Sequence, residues 1–194
     1  MTVEQRLEEL GLTLPDAPAP AANYKPCVRF DNLLFISGQL PMVDGKIVRS
    51  GRLGRDLDVD AGYAAARICA LNAIAQIRRE LGGFDDVATI LRVDGHINCE
   101  PDFNELPPVL NGASDLLMKV FEERAGHARV ALGHHQLPLN AAVEIAMTGG
   151  RKSKGYTACF TRFVPLSACR SIRKDAWSDP YRSGVGGRSS CRDR

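Results

Sequence analysis

The sequence predicts an α/β (α+β) fold, a mixed sheet with two helices packed on one face. Three observations predict it. Short apolar runs rich in β-branched residues alternate with two longer segments of helical period. Turn-forming residues separate these runs at close intervals. The resulting order, β-β-β-α-β-α-β-β, lays helices against one side of a sheet.

The elements follow in chain order. Val3, Leu7 and Leu10 recur at helical spacing, and Gly11 ends that segment. Leu14-Pro-Asp-Ala-Pro-Ala-Pro cannot be helical throughout, so residues 1–19 read as a short helix and an extended Pro/Ala arm. Cys27–Phe30 and Leu33–Ser37 are apolar runs joined by Asp31-Asn32, a hairpin pattern. Val43-Asp-Gly-Lys-Ile-Val reads as a further turn entering a short strand. Asp60–Leu81 is the clearest helix: Ala64, Ile68, Leu71, Ile74, Ala75 and Ile77 form one apolar face. Asp58 or Asp60 can cap it, and Gly82-Gly83 ends it. Val87–Ile97 reads as a strand. Pro107-Pro108 precedes a second helix, placed at about Ala113–Arg124 with Leu116, Leu117, Val120 and Phe121 as its apolar residues. Ala128–Leu132 and Ala141–Met147 read as two further strands.

Composition bounds the function. Hydrophobic content of 44% and charged content of 25% are ordinary for a globular chain. The net charge of +2 conceals a division. Residues 1–147 carry 14 Lys and Arg against 20 Asp and Glu, whereas residues 148–194 carry 11 against 3. The expected organisation is therefore an arm at 1–19, a domain at 20–147 and a basic tail at 148–194. A native tail of this composition is expected to be disordered, and its abrupt onset also fits a frame-shifted or fused ending. No apolar run approaches the roughly 20 residues of a membrane helix. Met1–Leu14 is acidic and amphipathic rather than signal-like, so a cytoplasmic location and no membrane partner are expected.

The six cysteines form no C-x-x-C pair, and Cys27, Cys69 and Cys99 read as small buried hydrophobes. The four histidines show no ligand spacing with them, so no metal site is expected. His134-His135 is placed in a surface loop after the Ala128–Leu132 strand.

Four segments together resemble the RidA/YjgF family. They are Leu33-Leu-Phe-Ile-Ser-Gly-Gln-Leu-Pro; the 60–81 helix with Asn72; Asp102-Phe-Asn with Asn111-Gly-Ala-Ser-Asp and Val120-Phe; and Ala128-Arg-Val followed by Leu137-Pro-Leu and Val143-Glu-Ile. The resemblance covers about residues 20–147, and the Leu14–Tyr24 arm looks like a longer-armed branch. It implies a chorismate-mutase-like, trimer-forming domain with clefts between subunits. It also implies that the family's arginine falls on Arg129 and its late carboxylate on Glu144. By the same resemblance Tyr24, Ser37 and Asn111 line the cleft. Many members have a cysteine two residues after the arginine; here the position is Ala131, whose backbone can still hold a ligand. The family's last strand continues as an apolar run, whereas here Ala146-Met-Thr-Gly-Gly is expected to break off.

The implied activity is hydrolytic deamination of small 2-imino or 2-enamino acids such as 2-aminoacrylate, without a cofactor. These residue types suit that chemistry. A guanidinium fork binds a carboxylate through two charge-assisted hydrogen bonds. A carboxylate can hold or deprotonate the attacking water. Each residue also has a plainer reading: Arg129 and Glu144 as solvated strand positions, Ser37 as a turn former, Asn111 as a helix N-cap, Tyr24 as a core or interface aromatic. The alternative function is a non-catalytic trimer that holds small carboxylates as a sensor or chaperone-like partner. A third and less favoured reading is RNA binding or cleavage: the acidic body and sparse aromatic residues argue against a nucleic-acid partner, and the basic tail argues weakly for one.

Overall fold

The computed structural model describes residues 1–20 and 22–152. Helix α1 spans Val3–Glu9, opened by a capping box in which Thr2 accepts from the Gln5 amide and the Gln5 side chain accepts from the Thr2 amide. Strands β1 (Cys27–Phe30) and β2 (Leu33–Gln39) form the expected hairpin, with Asp31 at positive φ in the turn. Two short strands, β3 (Met42–Val43) and β4 (Lys46–Ile47), pair as a separate ladder. Helix α2 spans Val59–Leu81; the Asp58 carboxylate accepts from the Ala61 amide, and Gly82 closes the helix in the left-handed region. Then follow β5 (Val87–Asn98), α3 (Leu106–Phe121), a 3-10 turn (Glu122–Ala125), β6 (Ala128–His134), a second 3-10 turn (Pro138–Asn140) and β7 (Val143–Arg151).

The sheet order is β1-β2-β7-β5-β6, antiparallel throughout except for the parallel β5–β6 pair. Helices α2 and α3 pack together on one face. Their buried residues meet Leu34, Ile36, Val93, Ile97, Val143, Ile145 and Met147 in one core. The helices touch backbone to backbone at Gly112, where a Cβ would lie 2.0 Å from the Tyr63 carbonyl oxygen. Helix α1 docks through Val3 and Leu7, and Arg6 donates to the Val120 carbonyl and to the Glu122 carboxylate. The arm has no regular element but is pinned by its carbonyls. Gln76 donates to Pro18 at 2.7 Å, Arg78 to Pro15 and Arg79 to Ala17.

Among the described residues no helix covers the opposite face of the sheet. Val28, Phe35, Leu91 and Leu132 stand there 40–45% exposed.

Three departures from expectation bear on the site. Helix α3 begins at Leu106, seven residues earlier than expected, because Pro107 and Pro108 sit in its first turn, where an amide has no intrahelical partner to lose. Strand β7 does not break at Met147 but runs to Arg151: Gly149 pairs with Leu34 on one side and Ile90 on the other. A central strand receives a ladder from each neighbour, which offsets the weak strand preference of Gly-Gly. Strand β6 runs to His134, so that histidine belongs to the sheet and not to a loop; its Nε2 lies 2.8 Å from Nδ1 of His96 on β5. The expectations for the tail from residue 153 onward lie outside the described residues.

Candidate functional site

Arg129 is the second residue of β6, the edge strand. Its register partner is Val93, a core residue, so Arg129 projects on the helix-covered side. There Nη1 donates to Asn111 Oδ1 at 2.9 Å and to Ser114 Oγ at 3.0 Å, both on α3. Asn111 and Ser114 lie three residues apart and hence on one helix face. Because α3 starts early, Asn111 is an interior helix residue rather than the N-cap, and its side chain is free to orient the guanidinium. Ser114 Oγ also lies 3.0 Å from His127 Nε2, and His127 Nδ1 lies 2.6 Å from the Ala125 carbonyl. Ala131, opposite Gly95, shares this face; the outer edge of β6 is unpaired among the described residues.

Glu144 stands elsewhere. It lies between Val143 and Ile145, both in the core, and pairs with His96. Alternation therefore sends it to the face without helices. Its carboxylate rests against β2 at Gly38, where a Cβ would fall 1.8 Å from Oε1. Only a residue without a side chain lets the carboxylate lie there. The Ser37 hydroxyl donates to the Lys25 carbonyl at 2.8 Å, and the Ser37 amide donates to the Pro26 carbonyl. Ser37 thus ties the segment carrying Tyr24 to β2. Tyr24, Pro26, Gly38, Leu40, Met42 and Gln76 line one small cavity.

The expected site residues thus form two groups in one chain. Arg129, Asn111 and Ala131 gather at β6 and α3; Tyr24, Ser37 and Glu144 gather at β2 and β7. Arg129 and Glu144 project from opposite faces of the sheet. Two strand spacings, about 10 Å, also lie between β7 and β6. Gly38, Ser114 and His127 join these groups although the sequence pattern assigned them no role in the site. His127 carried a signal: residues two apart entering a strand share a side, which puts it beside Arg129.

Electrostatics exclude an activated thiol among Cys27, Cys69 and Cys99. Burial pushes the Cys27 thiol up to about 11, with Glu80 adding to the effect. Burial likewise raises Cys69, and to a lesser degree Glu144 does the same. Cys99 is raised by burial. Among the described residues no three His, Cys, Asp or Glu side chains converge as a metal site, and no helix is long and apolar enough to cross a membrane.

Comparison with known proteins agrees with this architecture. Residues 4–149 match a family model described as "YjgF/chorismate mutase-like, putative endoribonuclease". Protein TCP17 of Trypanosoma cruzi is 45% identical over 144 residues, covering 74% of this chain and 90% of that protein. The crystal structure of Atu1372, a protein of unknown function from Agrobacterium tumefaciens, superposes with a TM-score of 0.73 at 43% identity. That match covers 77% of this chain and 92% of the other. The crystal structure of "a putative endoribonuclease" from Shewanella oneidensis superposes with a TM-score of 0.75 at 37% identity, covering 77% and 99%. With its sheet order, its two helices on one face and a family match over three quarters of its length, the chain belongs to the YjgF/Rid family.

Proposed function

We propose that this protein hydrolyses small 2-imino and 2-enamino acids to 2-oxo acids and ammonia, in a site completed by a second copy of the chain. The observation that carries the proposal is the placement of Arg129: a guanidinium anchored through one nitrogen on α3, on an exposed strand edge, with its other nitrogens unbonded among the described residues. Such a group meets the carboxylate that every substrate of this class keeps. Glu144 lies on the other face of the same sheet, so one copy cannot offer both groups to a three-carbon acid. A homotrimer, in which the apolar face without helices packs against neighbours, would bring one copy's Arg129 to the next copy's Glu144.

The chemistry then runs without a cofactor. Arg129 holds the carboxylate, and the enamine, if present, tautomerises to the imine. Glu144 orients water and takes its proton as oxygen bonds to the imine carbon. Glu144 returns that proton to the nitrogen, the proton of the new hydroxyl follows it as the C–N bond breaks, and ammonia leaves, giving the 2-oxo acid and the free carboxylate. The protein's main contribution is orientation.

Freshly generated 2-aminoacrylate, followed by pyruvate release, tests this. The intact protein should exceed the rate in water. Arg129→Ala should lose about 2–3 kcal/mol of transition-state binding, roughly 30–150-fold in kcat/KM. No rate above water would leave the non-catalytic carboxylate-binding reading, and an unchanged Arg129→Ala would refute both.

A further inference from the structure

We infer that His127 and Ser114 form a positioning relay that fixes which edge of the Arg129 guanidinium faces the ligand. The inference rests on the carboxylate reading and deepens it. Nη1 of Arg129 carries two hydrogens, and two acceptors take them: Asn111 Oδ1 at 2.9 Å and Ser114 Oγ at 3.0 Å. The Nε hydrogen and both Nη2 hydrogens have no partner among the described residues. Nε and Nη2 form one straight edge of the guanidinium, and that edge is a bidentate match for a carboxylate.

The direction of the remaining links follows from what each group can do. The Ala125 carbonyl only accepts, so His127 Nδ1, 2.6 Å away, carries the proton. In the neutral ring Nε2 then holds a lone pair. Ser114 accepts from Arg129 and gives its own hydroxyl proton to that lone pair at 3.0 Å. The chain therefore runs one way: Arg129 to Ser114, Ser114 to His127, His127 to the backbone at Ala125. Ala125 is fully buried in the 3-10 turn that follows α3, so the last link ends on an immobile group. His127 never meets the ligand. It acts by keeping the Ser114 hydroxyl turned so that its lone pair faces Arg129.

A binding experiment on the full chain separates this from general packing. Pyruvate serves as the probe, and pyruvamide, which lacks the carboxylate, as its control. His127→Ala and Ser114→Ala should each weaken pyruvate binding about fivefold, the worth of one neutral hydrogen bond. The double variant should be no weaker than either single, because both break the same chain. Ser114→Thr, which keeps the hydroxyl, should bind as the parent does, and pyruvamide affinity should be unmoved throughout. In turnover the losses should appear in KM with kcat within about twofold. Additive losses, an unaffected His127→Ala or equal loss of pyruvamide would overturn the relay. Arg129→Ala decides the underlying reading separately: if it binds pyruvate like the parent, the carboxylate grip itself is wrong. If Arg129→Ala loses pyruvate and His127→Ala does not, only the relay falls.

Discussion

Around Arg129, side chains from α3, β6 and the turn between them join in one chain of hydrogen bonds, each between 2.6 and 3.0 Å. Around Glu144 the construction is different: a carboxylate lies against bare backbone at Gly38, and the neighbouring Tyr24 segment is tied to β2 by Ser37. The first region is positioned by polar partners and the second by the absence of a side chain. The two should therefore fail differently. Losing a partner at Arg129 loosens a grip, whereas adding an atom at Gly38 evicts a group.

The sharpest way to test the comparison is to put the regions in different chains. Arg129→Ala and Glu144→Ala proteins should each be nearly inactive alone. After co-refolding at equal amounts, about one quarter of the parental activity should return, since random assembly of a closed ring restores that share of intact sites. Activity that stays at baseline in verified mixed oligomers would show that both groups serve one chain.

Next in size is Gly38→Ala. The three atoms nearest the added Cβ all belong to the flexible Glu144 side chain. Activity should fall about tenfold, while stability in denaturant melts shifts by less than about 1 kcal/mol. A large loss of stability would mean that Gly38 serves the fold rather than the carboxylate.

The smallest effect concerns pH. Cys27 opens β1, two residues beyond the Lys25 carbonyl held by Ser37. Its thiol titrates near 11 in the folded chain against an ordinary 9.0, so the folded state keeps a proton that the unfolded state releases. That contribution to stability is intact below pH 9 and is lost as pH rises through 11. Denaturant midpoints measured from pH 8 to 11 should fall, and Cys27→Ala should flatten part of that slope.

Much of the fold was readable from residue patterns. The α2 face of Ile74 and Ile77, the Asp58 cap and the Gly82 stop are local signals, and local physics decided them. Elements whose form is decided by a neighbour were not legible in the same way. Gly149 and Gly150 look like a strand's end until β2 and β5 are placed on either side. Pro107 and Pro108 look like a barrier until the first helical turn is recognised as the place that tolerates them. In the site, Arg129 and Glu144 were individually visible, but their faces were not. Each face depends on register, with Arg129 opposite Val93 and Glu144 opposite His96, and register is a property of paired strands.

The contact at Gly112 carries a consequence beyond the core. It sits beside Asn111 and two residues before Ser114, and it is the point where α3 rests on the main chain of α2 at Tyr63. One added methyl there would lift α3 and carry the two acceptors of Arg129 with it. Damage at this seam should register as a lower melting temperature together with a weaker hold on the ligand, so the spacing between two helices sets the place of the charge beside it.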